Sequence, residues 1–356
     1  MRLGIIGLPQ SGKTTLFNAV TRNSQPTGQA SGKMEVHTAV IDVPDPRVDQ
    51  LSQMFQPKKT IFAKVTYTDI AGLDGSAGKT GIAGTLLNQL TQMDGFIHVV
   101  RCFEDDNIPH QAGSVSPARD IQTMDGEFIL NDLITVERRL ERLEDEKRKG
   151  GGRDKTTIEH EINLFNKFNE TLSEEKPLRD LELSEEEKHG ITGFGFLSIK
   201  PQLIVLNLSE GQTPPSISHD HKMSQVVPLQ GKLEMDISQL SPEDVPLLLA
   251  EYAIEEPGLN RMIKLSYELM GLQSFFTVGE DEVRAWTVHK GVFAPEAAGV
   301  VHSDMQKGFI RAEVVSYDDL IALGSLAEAR SKGKLRVEGK TYIVQDGDIL
   351  NIRFNI

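Results

Sequence analysis

Cysteine is almost absent from the 356 residues: Cys102 stands alone. That excludes an intramolecular disulfide framework and a multi-cysteine zinc site, and it fits a reducing, cytoplasmic compartment. Cys102 itself reads as a small buried hydrophobe. No apolar run approaches the roughly 18–20 residues that span a bilayer, so no membrane partner is expected. The opening Met1-Arg2-Leu3-Gly4-Ile5-Ile6-Gly7 is too short for a secretory leader and reads as a first strand. Positive charge is in deficit, with 38 Lys and Arg against 52 Asp and Glu and a formal net charge of −14. A polyanion therefore cannot be held by net charge, and any nucleic-acid contact needs a local patch. The nine histidines show no metal-ligand spacing, with His37, His98 and His302 isolated, so no zinc site is expected. An apolar fraction of 38% without a dominant Gln, Asn or Pro tract excludes a largely disordered chain, and the length suggests two or three domains.

Apolar runs at Leu3–Ile6, Ala63–Tyr67, Gly95–Val100 and Pro201–Leu206 read as buried strands separated by helix-length sequence, the pattern of a doubly wound, mainly parallel α/β domain. Before the last of these, Leu133, Val136, Leu140 and Leu143 recur at helical spacing. Gly150-Gly151-Gly152 interrupts, and Ile158, Ile162, Phe165, Phe168 and Leu172 resume, predicting a helical hairpin. From about Phe275 the texture shortens into alternation, clearest where Leu350, Ile352, Phe354 and Ile356 face one way. Tyr317 to Ala329 is predicted as one helix of this small α+β module.

Gly7-Leu8-Pro9-Gln10-Ser11-Gly12-Lys13-Thr14 satisfies G-x-x-x-x-G-K-[ST] between a buried strand and a helix, where that motif must lie. Its glycines let the backbone wrap phosphates, the amides at the helix start supply donors, Lys13 reaches the β- and γ-phosphates, and Thr14 offers a hydroxyl to Mg²⁺. Asp69 closes a strand and opens Asp69-Ile70-Ala71-Gly72, a Walker B carboxylate followed by a glycine whose N–H can meet a γ-phosphate. Asn207-Leu208-Ser209-Glu210 follows the strand at Leu203–Leu206, where a GTPase of this architecture carries Asn-Lys-x-Asp. A short Asp there accepts from guanine N1–H and the 2-amino group, and the longer Glu210 displaces that acceptor and erodes guanine selectivity.

These residues resemble the Obg-like ATPase, or YchF, family of P-loop NTPases over essentially the whole chain. Supporting strings are Val43-Pro44-Asp45-Pro46-Arg47, Val99-Val100-Arg101-Cys102-Phe103-Glu104-Asp105-Asp106, Ser274-Phe275-Phe276-Thr277-Val278-Gly279 and Val344-Gln345-Asp346-Gly347-Asp348. The resemblance implies an α/β G domain (1–130 and 200–272), an inserted helical domain (131–199) and a C-terminal β-grasp TGS domain (273–356). It further implies ATP binding at least as ready as GTP binding, association with the ribosome or its RNA, and a monomer in the cytoplasm.

The candidate nucleotide-binding set is Pro9, Gln10, Ser11, Gly12, Lys13, Thr14, Thr15, Asn207, Leu208, Glu210 and Gly231. Thr14, Asp69 and Thr38 are the metal candidates, and Lys13, Gly72 and Gln89 the catalytic ones. Leu73 stands where Ras-like GTPases place the glutamine that orients water, and an apolar side chain cannot do so. In the family a histidine on the helix after switch II is the suspected substitute. Alignment on Asp94 puts Gln89 there, a residue able to orient water but not to act as a base. Gln10 and Ser11 replace the family's usual Asn and Val, and Gly32–Thr38 departs from the usual switch I context. A nucleotide-gated adaptor with negligible hydrolysis and a true GTPase are therefore the competing readings. The basic run Lys147-Arg148-Lys149 and Arg153-Asp154-Lys155 reads first as a solvated turn, with a ribosomal-RNA patch as the functional alternative. Trp286 is read as core packing over base stacking.

Overall fold

The computed structural model describes residues 1–22, 37–73, 81–82, 84–149, 153–241, 243–252 and 254–355. Gly150–Gly152, the Gly32–Val36 part of the switch segment and Ile356 lie outside them. Two compact units are present, Met1–Ala39 with Thr66–Met262, and Val40–Val65 with Ile263–Ile356. In chain order the elements are β1 (Arg2–Ile6), α1 (Lys13–Thr21), β2 (His37–Asp42), α2 (Pro46–Phe55), β3 (Lys59–Ile61), β4 (Lys64–Asp69), α3 (Gly84–Thr91), β5 (Gly95–Arg101), α4 (Pro117–Lys149), α5 (Lys155–Ser173), α6 (Glu185–Ile191), β6 (Gln202–Asn207), β7 (Ser224–Leu229), α7 (Gly231–Gln239), α8 (Val245–Glu251) and α9 (Gly258–Leu269). There follow β8 (Leu272–Val278), β9 (Glu282–His289), α10 (Ala294–Val301), α11 (Ser303–Lys307), β10 (Phe309–Ser316), α12 (Tyr317–Leu323), α13 (Leu326–Ser331), β11 (Arg336–Glu338) and β12 (Asp348–Phe354).

The first unit is built on a sheet ordered β2-β4-β1-β5-β6-β7. β1 pairs in parallel with both β4 and β5, and β5–β6 and β6–β7 continue in parallel. Every residue of β5 and β6 is buried, which accounts for their unbroken apolar runs in place of alternation. The strand order reverses at β1, so the loop leaving its carboxyl end sits at a topological switch point, where open α/β sheets bind ligands.

α4 begins at Pro117, ahead of the boundary expected at 131, because one helix serves two cores. Its early residues Met124 and Phe128 pack with Ile6, Phe96 and Leu197, and Ile121 with Val100 and Ile204. Its later Val136 joins Phe165, Phe168 and Leu172 of α5 and Phe196 in the hairpin core. Asp132, buried on α4, accepts the N–H groups of Leu197 at 2.9 Å and Ser198 at 2.7 Å and so anchors the chain on its return to the sheet. At the hairpin tip the cations are paired locally. Lys147 meets Glu159, Arg148 and Lys149 meet Asp145, and Arg153 meets Glu146 and Glu161. That pairing is the pattern of a solvated turn.

In the second unit the order is β11-β10-β12-β8-β9-β3. β8–β9 and β10–β12 are antiparallel and β12–β8 parallel, with Ala294, Ala297 and Ala298 of α10 packed on Phe275, Val314 and Leu350. Residues 40–65, placed with the G domain by the sequence reading, cluster here because β3 pairs in parallel with β9 and Arg47 is held within this unit. Arg47 donates to Asp45 and, at 2.7 Å, to Asp346, and its guanidinium lies 5.1 Å from the Phe276 ring centroid. The single helix expected over Tyr317–Ala329 is two. Gly324 at φ 75° ends α12 in a left-handed cap, and the Ser325 hydroxyl caps α13 by accepting from Glu328 N–H. Leu350 is buried and Ile352 partly so, but Phe354 is exposed. Trp286 packs beside Phe275, donates to Thr277 Oγ1 at 2.9 Å and carries the Arg284 guanidinium 3.9 Å from its ring centroid, which makes it a packing residue. Cys102 is buried, its thiol pushed up to about 12 by desolvation.

His98 is fully enclosed in β5, where Gln202 Nε2 donates to its Nδ1 at 3.2 Å, and burial lowers its pKa to about 4. A histidine depressed in the folded state binds fewer protons than in the unfolded chain between the two pKa values. It contributes stability above about pH 6.5 that is lost as pH falls toward 4, up to about 3 kcal/mol. Urea unfolding at pH 7, 6 and 5 should show that decline, and His98→Gln should flatten it. An equal slope in both proteins would contradict this assignment.

Candidate nucleotide site

The loop from β1 to α1 needs backbone that most side chains refuse. Gly7 has φ 147°, Gln10 φ 63° and Gly12, the N-cap of α1, φ 97°. A Cβ on Gly7 would meet Val99 O at 2.3 Å, and one on Gly12 would meet Asn207 Nδ2 at 2.2 Å, so both glycines are required by space as well as conformation. Gln10 adopts the left-handed region without that freedom, a conformation sparsely populated by such residues. Pro9, Gln10, Lys13, Thr14 and Thr15 keep some exposure, whereas Ser11 is buried with its hydroxyl unpartnered among the described residues.

Lys13 folds back on the loop and donates to the carbonyls of Gly7 and Leu8, both at 2.8 Å. Desolvation lowers its pKa to about 8, partly offset by the Asp69 carboxylate. At the end of β4, Asp69 Oδ2 accepts from Thr14 Oγ1 at 3.1 Å. Its Oδ1 is buried with no partner among the described residues, and burial raises its pKa against the pull of Lys13 and Thr14. An orphaned carboxylate oxygen beside a threonine hydroxyl is a hard, all-oxygen donor pair that fits Mg²⁺.

Thr38 lies on β2 and exchanges a hydrogen bond with Thr68 at 3.3 Å, one residue before Asp69. Gly72 follows at φ 102°. Leu73 is 3% exposed and packed with Ile6, Ile70, Leu90 and Met93, so its side chain belongs to the core rather than to a water site. Gln89 sits on α3 with Oε1 buried and unpartnered among the described residues, and no hydrogen bond among them joins it to Lys13, Thr14 or Asp69. The carboxyl end of that helix is fixed by Lys200, whose ammonium donates to the carbonyls of Leu90, Thr91 and Met93 at 2.8, 2.8 and 2.6 Å.

Asn207, expected to read the base edge, is first a structural tie. Its Nδ2 donates to Ser11 O at 2.9 Å and its Oδ1 accepts from Gly231 N–H at 3.0 Å, so one buried amide joins the P-loop to the start of α7. One Nδ2 hydrogen is left for a ligand. Leu208 is buried and donates its N–H to Leu229 O, which extends the β6–β7 pairing. Glu210 is exposed beside Tyr252, whose phenol pKa its carboxylate raises. Gln212 had no motif to announce it. It accepts from Ser209 N–H at 2.9 Å and donates to Cys102 O at 2.7 Å, pinning the Glu210 loop to the end of β5. Asp105 caps its own loop by accepting from Asn107 N–H.

A parallel sheet with a glycine-constrained loop at its switch point, a lysine folded over that loop and a threonine–aspartate oxygen pair beside it define a P-loop nucleoside triphosphatase. Comparison with known proteins narrows the class. A 50S ribosome-binding GTPase model matches residues 2–135, and the YchF-GTPase C-terminal model, described as a protein of unknown function, matches residues 272–355. The chain is 40% identical over 365 residues to the ribosome-binding ATPase YchF of Bacillus subtilis (strain 168), covering 99% of each. To the protein of the same name from Escherichia coli O157:H7 it is 40% identical over 364 residues, covering 100% of this chain and 99% of that one. The solved YchF GTPase of Schizosaccharomyces pombe superposes with a TM-score of 0.84 at 29% identity, covering 99% and 97% of the two chains. The chain belongs to the YchF family.

Replacing Asn207 by Ala strands the Ser11 carbonyl and the Gly231 N–H in a buried setting, at a cost of about 1–3 kcal/mol. The expected outcome is a lowered urea midpoint together with nucleotide affinity reduced at least tenfold, read by titration with a fluorescent nucleotide. Unchanged affinity would show that the tie does not shape the loop.

Proposed function

We propose that this chain is a Mg²⁺-dependent ATPase of the cytoplasm whose nucleotide state governs its association with the ribosome. The observation that carries ATP over GTP is Glu210. It is exposed at the end of a loop that Gln212 pins, and a carboxylate one methylene longer than the GTPase aspartate is displaced from the two guanine donors. The names of the bacterial relatives support both ATP and the ribosome as partners. In this reading residues 1–130 and 200–272 serve the nucleotide, although 40–65 cluster with the second unit, residues 131–199 form a helical insert and residues 273–356 form a TGS domain.

The phosphates lie against the amides of the loop and the first turn of α1, and Lys13 exchanges its carbonyl partners for β- and γ-phosphate oxygens. Thr14 and Asp69 would hold Mg²⁺, with Thr38 the switch-segment candidate for the same ion, and the ion would supply charge neutralisation at the phosphates. Gly72 turns its N–H to the γ-phosphate, and Gln89 on α3 is the candidate to orient the attacking water. Asn207 uses its remaining N–H on the base edge. A second reading, a nucleotide-gated adaptor with negligible hydrolysis, is favoured by the burial of Leu73 in the core.

Competition of ATP and GTP against one fluorescent nucleotide, with Mg²⁺, tests the base preference. The expected result is ATP tighter by tenfold or more, about 1.4 kcal/mol, with Glu210→Asp narrowing the gap. GTP tighter by that margin would return the chain to the GTPases. For the water-orienting role, Gln89→Ala should lower multiple-turnover phosphate release at least tenfold with ATP affinity unchanged. Equal turnover removes Gln89 from the chemistry, and no turnover in either protein favours the adaptor.

A further inference from the structure

A cavity of about 870 Å³ lies within the first unit, lined by α4 and by the segment 216–221 that precedes β7. Asp125 of α4 and His219 and His221 of that segment line it together. Each offers one ligand atom, and these atoms all lie within 4.8 Å of one another. In sequence the histidines are the only close pair of their kind to meet a carboxylate this way among the described residues, but Asp125 is so distant along the chain that spacing gave no sign of it.

Hydrogen bonding does not account for the cluster. The His219 side chain is 5% exposed, its Nε2 has no partner among the described residues, and its Nδ1 is 3.9 Å from Asp125 Oδ2, too far for a hydrogen bond. Buried ring nitrogens are ordinarily satisfied, yet no hydrogen bond among the described residues holds the His219 ring beside Asp125 and His221. His221 carries the complementary feature. Its Nδ1 pairs with Asp180 Oδ2 at 2.7 Å, which fixes the tautomer and leaves Nε2 as an acceptor, the outer-shell arrangement that metal-bound histidines use. Asp180 also accepts Lys222 N–H at 2.9 Å and so fixes the loop from outside. Arg179, 1% exposed, holds Asp125 Oδ1 at 3.3 Å and leaves Oδ2 toward His219. Two carboxylates, Asp125 and Asp180, against the one guanidinium leave the site anionic.

We propose that Asp125, His219 and His221 bind one transition-metal ion of the zinc class, with the cavity supplying room for a water ligand. Two imidazoles and one carboxylate suit Zn²⁺ and its neighbours Co²⁺ and Ni²⁺, whereas Mg²⁺ and Ca²⁺ require oxygen sets. Zinc bonds of about 2.0–2.1 Å draw the three ligand atoms closer than their present spread. The ion therefore clips the segment before β7 to the helix that continues into the hairpin core. Arg179 keeps its partner through Oδ1 while this occurs.

The test is Co²⁺ titration of the chelator-treated full-length protein, followed by visible absorption, with Mg²⁺ present at millimolar concentration. One equivalent of Co²⁺ per chain with intense four-coordinate bands is expected. His219→Ala with His221→Ala should abolish those bands, and His221→Gln should weaken binding at least tenfold, with ATP affinity within twofold of wild type in both as proof of folding. Asp69→Asn, which alters the oxygen pair of the P-loop, should leave the equivalent in place. The inference is overturned by a wild-type protein that binds no stoichiometric Co²⁺, by a double variant that binds it as wild type does, or by its loss in Asp69→Asn.

Discussion

The bond pair made by the Asn207 side chain is the constraint on which the nucleotide site depends. A P-loop is a stretch of backbone in uncommon conformations, with Gly7, Gln10 and Gly12 all at positive φ, and such backbone persists only where its surroundings overdetermine it. Asn207 takes the Ser11 carbonyl on one side and the Gly231 N–H on the other, and it stands so close that Gly12 has no room for a Cβ. Thus β6, far along the chain, sets the shape of the loop that follows β1. The pinning of the next residues by Gln212 against Cys102 extends the same rigidity to Glu210.

Electrostatics at the loop follow from this geometry. Lys13 is desolvated and rests on two carbonyls, while Asp69 keeps one oxygen engaged by Thr14 and the other unpartnered among the described residues. Both charged forms are penalised by burial and partly rescued by one another. Such a pair gains from any ligand that brings anionic oxygens to Lys13 and a cation to Asp69, so the protein supplies its electrostatic groups already oriented and under-satisfied. Leu73 completes the contrast with glutamine-bearing GTPases, because its side chain contributes to the core under α3 and none of it to the handling of water.

Much of this was legible in the chain. The eight residues Gly7–Thr14, the carboxylate Asp69 and the four buried strands are local patterns, and local patterns survive into the fold. The helical hairpin was also legible from its apolar spacing, although α4 starts earlier because its first turns cover the sheet and only its later turns face α5. What stayed hidden depends on long-range pairing. Residues 40–65 carry no mark that β3 will join β9 or that Arg47 will reach Asp346. The Asn-x-x-Glu string suggests a base-edge role for Asn207, and nothing local announces its tie to Ser11. The break at Gly324 is hidden in the sequence because apolar residues continue on both sides of it, and the φ of 75° there ends the helix.

In the proposed mechanism Lys13, held over the loop by backbone carbonyls, stabilises charge during hydrolysis. Single-turnover release of γ-phosphate from saturating Mg²⁺·ATP, compared between wild type and Lys13→Ala at equal occupancy, tests it most directly. The expected rate is at least one hundredfold lower in the variant, about 2.7 kcal/mol. Rates within twofold at equal occupancy would contradict it and place the chemistry elsewhere in the protein.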